Sequence, residues 1–256
     1  MVVQTFCKED RPLDTRVLIH GAPRSGTSIL TDLLRVDPHS YISHETGLYT
    51  KILVSGSVPS FLHHLNSLDE MGRLGEDRLL GNIQTVQKIC RDYSDPVTLV
   101  RLLEREMYQD RTVFGDKMPD GLSPSQAALI SKYFPFKLIH IHRDARDSAS
   151  SMVERGIEGS FGAATTRWLR ATNATMRTVD LQIVPSLSLP FRDLVEHPGR
   201  TAHVLSMFLN VDVQSVETNM DHLLKVDKAH LDRGKGLTMS NTVKDTMRRL
   251  GYDLPR

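Results

Sequence analysis

Arg16-Val17-Leu18-Ile19-His20-Gly21-Ala22-Pro23-Arg24-Ser25-Gly26-Thr27-Ser28-Ile29-Leu30-Thr31-Asp32 opens with a β-branched and aliphatic run that stops at a glycine. A tight turn carrying one arginine follows, closed by Gly26, and two hydroxyl residues then start an amphipathic helix. Glycines at both ends let the backbone curl so that successive N–H groups point inward, and the helix N-terminus adds unpaired donors and partial positive charge. The unit therefore reads as a strand, an anion-binding loop and a helix, with the phosphate of a nucleotide as the natural anion. The usual phosphate loop is G-x-x-x-x-G-K-[ST]. Gly21 and Gly26 keep that glycine spacing, but Thr27 stands at the lysine position and the basic residue sits inside the loop as Arg24. This argues against an ordinary ATPase. A plain turn before a helix would account for the glycines but not for Arg24-Ser25-Gly26-Thr27-Ser28.

Composition bounds the rest. A chain of 256 residues can bury a full core in one large α/β domain. With 32 Lys+Arg against 31 Asp+Glu, no basic surface points to nucleic acid or an anionic membrane as partner. Cys7 and Cys90 do not make a disulfide framework, so a reducing compartment is expected. Lys8, Glu9, Asp10 and Arg11 interrupt the first residues, which do not read as a secretory signal. No uncharged apolar stretch is long enough to span a bilayer. The expectation is a cytoplasmic single-domain protein; a homodimer stays open.

Strands and helices alternate along the chain. Val17–His20, Tyr41–Ser43, Thr112–Phe114, Lys137–His142 and Ser186–Pro190 read as strands. Helices are expected over Thr27–Val36, from Ser123-Pro124 through Tyr133, after the charged run Arg143–Asp147 to about Glu154, and over Ala163–Gln182 and Gly199–Leu209. Leu48 to Met107 reads as mostly helical, broken by Gly56, Pro59, Gly72, Gly75, Gly81 and Ser94-Asp95-Pro96. Strands separated by helices imply a parallel sheet with right-handed crossovers, whose ligands bind beyond the carboxyl ends of the strands. Gly21, Glu45, Asp116 and Arg143 each fall just past such an end, which points to one site.

Around that site the residues divide by chemistry. Arg143 directly follows a strand, where its guanidinium can grip a second anion with two hydrogen bonds, and Ser151 in the next helix can donate to the same group. Arg146 reads as a partner in exposed ion pairs at the helix start. Glu45 emerges beside the loop as a candidate general base, against the plainer reading of a carboxylate at a helix N-terminus. Lys117 can put positive charge on a leaving oxygen. Val113-Phe114-Gly115-Asp116 also fits a strand ending in a Mg²⁺-binding aspartate. A P-loop kinase or NTPase using ATP and Mg²⁺ is thus the alternative reading, and a non-catalytic nucleotide-binding module a third. His140 and His142 share a strand face without a nearby Cys or acidic partner at ligand spacing, and His63-His64 lies at an apolar helix edge. Trp168 reads as core, and Gly156 to Asn173 as a border of the acceptor pocket.

These residues together resemble the sulfotransferases that use 3′-phosphoadenosine-5′-phosphosulfate (PAPS). Gly21-Ala22-Pro23-Arg24-Ser25-Gly26-Thr27-Ser28 is similar to their 5′-phosphosulfate loop. His142-Arg143-Asp144-Ala145-Arg146-Asp147 with Ser151-Met152 is similar to their 3′-phosphate motif. Two segments resemble the tyrosylprotein branch: His44-Glu45-Thr46, which implies Glu45 as base, and Gly115-Asp116-Lys117-Met118-Pro119, which implies Lys117 near the bridging oxygen. Leu189-Pro190-Phe191-Arg192-Asp193-Leu194 resembles a further strand and helix lead, but Phe191 and Arg192 replace the usual Tyr-Glu, so a polar contact is lost. The branch's membrane anchor and disulfides have no counterpart in this sequence.

The resemblance implies a single P-loop-like α/β domain, with a core over about 15–210 and a C-terminal segment, 211–256, that covers the site. It also implies transfer of the sulfuryl group of PAPS to an acceptor hydroxyl, on a small molecule or natural product or on a peptide tyrosine, leaving 3′-phosphoadenosine-5′-phosphate (PAP). In that scheme Glu45, Lys117 and Arg24 are catalytic. The residues Gly21, Ala22, Pro23, Arg24, Ser25, Gly26, Thr27, Ser28, Arg143 and Ser151 bind the donor, joined by Arg233 and Lys235 from a late glycine-flanked basic loop. No metal is required, because the leaving group is already a stable diphosphate.

Overall fold

The computed structural model describes residues 15–35, 39–70, 83–108, 110–223, 231, 234 and 236–252. Five strands, β1 (Thr15–His20), β2 (Ser40–His44), β3 (Val113–Met118), β4 (Lys137–His142) and β5 (Ser186–Pro190), form one sheet in the order β2-β3-β1-β4-β5. Every neighbouring pair runs parallel. Between and after them come α1 (Thr27–Leu34), a π-helical turn (Thr50–Val54), α2 (Val58–Glu70), α3 (Ile83–Asp92) and α4 (Pro96–Met107). Then follow α5 (Pro124–Tyr133), α6 (Ala145–Glu154), α7 (Phe161–Asp180), α8 (Phe191–Glu196), α9 (Pro198–Leu209), α10 (Val213–Leu223) and α11 (Asn241–Arg249). The expected single α/β domain with a central parallel sheet flanked by helices is what forms.

The strands are apolar on both faces because helices cover both. Val17, Ile19, Ile139 and Ile141 pack with Leu30, Leu33 and Leu34 of α1 and with Leu205 and Leu209 of α9. Leu18 and Leu138 face the other way, onto Leu99 and Leu103 of α4 and Ala127 and Ile130 of α5. A third cluster joins Ala22 of the loop, Ala145 and Ala149 of α6, Trp168 of α7, and Val243 and Met247 of α11. The chain leaves β1 towards β2 and leaves β4 towards β5, so the sheet reverses its winding between β1 and β4. A crevice opens outside the carboxyl ends at such a point.

Local chemistry sets the helix starts. Ser123 and Gln126 form a reciprocal capping box ahead of α5, and Asp95, Asp144, Ser160 and Ser240 cap α4, α6, α7 and α11 through their side chains. Pro59 does not break a helix; it lies in the first turn of α2, where its missing N–H costs nothing. Arg16 of β1 grips Glu104 of α4 through Nε at 2.6 Å and Nη2 at 2.9 Å, and the Tyr49 hydroxyl donates to the same carboxylate at 2.7 Å. That partly buried ion pair ties the centre of the sheet to the helical layer.

The third strand is longer than its composition suggests. It runs to Met118, so Asp116 and Lys117 lie within β3 and not past its end. Gly, Asp and Lys are poor strand formers, but β3 is flanked by β1 and β2 and is held by pairing on both sides. Among the described residues no helix is long and apolar enough to cross a membrane.

Candidate active site

The loop between β1 and α1 is tightly enclosed. A Cβ at Gly21 would lie 2.2 Å from the Ile141 carbonyl oxygen, and Gly26, at φ 94°, would put one 2.3 Å from the Phe191 ring. Neither position can carry a side chain. Arg24 sits in the left-handed region at φ 67°, a conformation that costs a non-glycine residue roughly 1–3 kcal/mol and is concentrated at functional sites. The Ser25 hydroxyl is buried with no hydrogen-bond partner among the described residues, an orphaned polar group inside the cradle.

The second anion motif meets this loop. Arg24 Nε donates to Ser151 Oγ at 3.0 Å, and Arg143 Nη1 lies 3.5 Å from the Arg24 carbonyl oxygen. Arg143 is only 8% exposed. Its guanidinium is flanked by Asp147 at 3.7 Å and lies 4.9 Å from the centre of the Phe191 ring. Phe191 thus replaces a polar contact with a cation–π platform. The backbone beside Arg143 is fixed from two directions. Trp168 Nε1 donates to the Arg143 carbonyl at 3.1 Å, and the Tyr252 hydroxyl donates to the His142 carbonyl at 3.1 Å. Trp168 is core, as expected, and also a support for the site. Gly234 N donates to Asp147 at 3.0 Å, which brings the late glycine-flanked loop to the start of α6. Arg233 and Lys235, on either side of Gly234, lie outside the described residues. Arg146 is not on an exposed face. It is clamped on Asp144, and the two side chains are 13% and 15% exposed.

Glu45 follows β2 in the left-handed region at φ 57°. Its N–H donates to the Lys117 carbonyl at 2.7 Å, and its carbonyl accepts from His64 Nε2 at 2.6 Å. The next two amides, Thr46 and Gly47, donate to the Asp116 carboxylate at 3.0 and 2.8 Å. The Glu45 carboxylate accepts from Lys117 Nζ at 2.6 Å, and the same ammonium donates to Ser28 Oγ of the loop at 3.2 Å. Lys117 is 1% exposed, whereas the Glu45 side chain is 23% exposed, so the carboxylate has water on one side and the buried cation on the other. Asp116 spends both oxygens on backbone amides, which explains the aspartate at this strand position without a metal. His44 pairs with Asp32 at 2.9 Å.

His20, His140 and His142 line one face of β1 and β4 and stay neutral. Burial holds His20 and His142 down to about 4, and His140 well below its ordinary value. His142 Nδ1 is 2.9 Å from the Tyr252 oxygen; because the tyrosine proton goes to the carbonyl, the ring is the donor in that contact. The expected acceptor border, Gly156 to Asn173, carries a shallow groove lined by Glu158, Gly162, Ala163, Thr166, Arg167 and Arg170. The loop, Arg143, Ser151, Lys117 and Glu45 are brought together, while sequence reasoning missed the supports: Phe191, His64 and Tyr252.

The parallel sheet and its strand–loop–helix start define a P-loop-like α/β protein. A family profile described as Sulfotransferase family matches residues 16–215, and the chain belongs to that family; it is a sulfotransferase enzyme. It is 24% identical to protein-tyrosine sulfotransferase 1 of Danio rerio over 96% of this chain and 73% of that protein. Its fold is similar to the sulfotransferase domain of the Synechococcus PCC 7002 olefin synthase, with TM-score 0.68 and 20% identity over 97% of this chain and 98% of the other. The sulfotransferase domain from the curacin biosynthetic pathway gives TM-score 0.63 and 17% identity over 95% and 99%.

Proposed function

We propose that this sulfotransferase transfers the sulfuryl group of PAPS to an acceptor hydroxyl by in-line displacement, with Glu45 as general base. The observation that carries the reading is the Glu45–Lys117–Ser28 chain of hydrogen bonds, at 2.6 and 3.2 Å, which joins a partly exposed carboxylate to the anion loop through a buried cation. Bound in this site, PAPS supplies an activated sulfuryl group on a mixed anhydride with a stable diphosphate leaving group.

The residues present fit that donor. The loop N–H groups between Gly21 and Ser28 hold its 5′ end together with the Arg24 guanidinium, apart from Pro23, which has none, and Ser25, whose N–H goes to the Ala22 carbonyl. The orphaned Ser25 hydroxyl and those of Thr27 and Ser28 add donors. Lys117 neutralises charge on the leaving oxygen, and Arg24 does so on the transferring oxygens. Arg143 and Ser151 grip the 3′-phosphate, which ATP lacks, and so select the donor. Arg233 and Lys235 are assigned to the same phosphate, because Gly234 between them in sequence donates to Asp147 at the start of α6. Glu45 removes the acceptor proton. No step asks for a metal. Similarity to a protein-tyrosine sulfotransferase favours a phenolic acceptor, on a peptide tyrosine or a small molecule.

Incubation with PAPS and a panel of phenols, sugars, lipids and tyrosine peptides should yield products heavier by about 80 daltons, the mass of SO₃. Glu45→Gln should bind PAP normally and lose about 10²–10⁴-fold in turnover, least for the most acidic hydroxyls. A folded Glu45→Gln variant with near-normal turnover on an aliphatic alcohol would refute the assignment.

A further inference from the structure

We propose that His64, from the helical region between β2 and β3, is a positioning residue for the transfer reaction. Its Nε2–H holds the Glu45 carbonyl and thereby fixes the left-handed turn that aims the Glu45 carboxylate. The inference rests on the reading of Glu45 as base.

The turn at Glu45 is over-determined, as an unfavourable backbone conformation must be. Three of its restraints come from β3: the Lys117 carbonyl takes the Glu45 amide, and the Asp116 carboxylate takes those of Thr46 and Gly47. They fix the peptide before Glu45 and the two amides after it. The Glu45 carbonyl lies in the same planar peptide as the Thr46 amide, so that one peptide is held at both ends, by Asp116 from β3 and by His64 at 2.6 Å from a different layer. A carbonyl only accepts, so His64 carries its proton on Nε2. Helix α2 presents that ring from a firm base: Phe61 and Leu65, on either side of His64, are fully buried in the core, while His64 itself is half-buried. Burial lowers the His64 pKa, yet the neutral Nε2–H tautomer and the protonated ring both donate at Nε2, so the hold does not depend on titration. Without His64 the peptide after Glu45 is held at its Thr46 end alone; its rotation, about ψ of Glu45 and φ of Thr46, loosens the turn and lets the carboxylate drift from Lys117. A displacement of about 1 Å in such a group costs on the order of 10²-fold in rate.

The test compares two amides of different reach. The Gln side-chain nitrogen stands where His Nε2 does, whereas the Asn nitrogen stands where Nδ1 does and falls short of the carbonyl. With PAPS as donor and 2-naphthol or a tyrosine peptide as acceptor, His64→Asn and His64→Leu should lose about 10–100-fold in kcat, with the KM for PAPS within about twofold. His64→Gln should recover most of that loss. Hydrogen exchange at Thr46 and Gly47 should quicken in His64→Asn and not in His64→Gln, a readout that needs no turnover. Equal losses in the Gln and Asn variants would mean that the imidazole acts by its own chemistry and would overturn the proposal. So would wild-type kcat and unchanged exchange in His64→Asn. Glu45→Gln, measured in parallel, separates the two ideas. Full activity there removes the base and this inference with it; a loss there beside an unaffected His64→Asn removes this inference alone.

Discussion

Asp116→Asn asks what the aspartate inside β3 is for. The carboxylate accepts from Thr46 N at 3.0 Å and Gly47 N at 2.8 Å and is 2% exposed. Asparagine keeps the shape but offers one oxygen; its amide nitrogen would face a backbone N–H, donor against donor. One charge-assisted bond is weakened to a neutral one and the other amide is left buried without an acceptor. Together these should cost about 2–4 kcal/mol. For a chain of this size each kcal/mol lowers Tm by about 2–4 °C, so the melting temperature should fall by roughly 4–16 °C. Thermal unfolding followed by circular dichroism reads this directly, and turnover should fall as well, because the Glu45 turn loosens. A metal-binding aspartate predicts the opposite pattern, with stability preserved and Mg²⁺-dependent turnover lost. A variant melting within about 1 °C of the wild type would refute the structural role.

Arg143→Ala should weaken PAP by about 10–100-fold in calorimetry while leaving the affinity for AMP, which lacks the 3′-phosphate, nearly unchanged; equal losses would place Arg143 away from that phosphate. Acid should destabilise the fold through its buried imidazoles. The unfolded chain takes up a proton on each near pH 6.5, but folded His20 and His142 do so only near 4. Stability is therefore full above about pH 6.5 and falls as pH drops towards 4, by about 2 kcal/mol per histidine at pH 5. Urea unfolding at pH 7 and pH 5 should show that loss; a flat profile would mean that these rings are not buried neutral.

What the sequence made legible was local. The glycine-bounded loop, the capped start of α5 and the arginine after β4 are written in consecutive residues, and their physics needs no partner from elsewhere. Glu45 and Lys117 were recognisable as candidates because each stands near a strand terminus, though β3 was expected to stop at Phe114. Composition disfavours Gly115-Asp116-Lys117 as strand, and only pairing with β1 and β2 overrides it. The supports were hidden for a related reason. Phe191 looked like the loss of a hydrogen bond, because the ring's role depends on Arg143 and Gly26, which are distant in sequence. His64 and Tyr252 act through single hydrogen bonds to backbone carbonyls, which leave no trace in hydropathy or spacing. The π-helical turn after Gly47 likewise has no sequence signature.

The apolar cluster that holds Ala22, Ala145, Ala149, Val243 and Met247 together has a thermodynamic corollary. The last helix of the described chain shares a core with the loop and with the helix behind Arg143, so its docking and the closing of the crevice between them are linked equilibria. A nucleotide that binds the crevice more tightly when α11 is docked strengthens the attachment of α11, and loosening α11 then weakens occupancy by the same factor. Amide exchange in α11, or a dye on its exposed face at Arg248, should therefore report nucleotide occupancy from a point that touches neither the acceptor nor the transferring group.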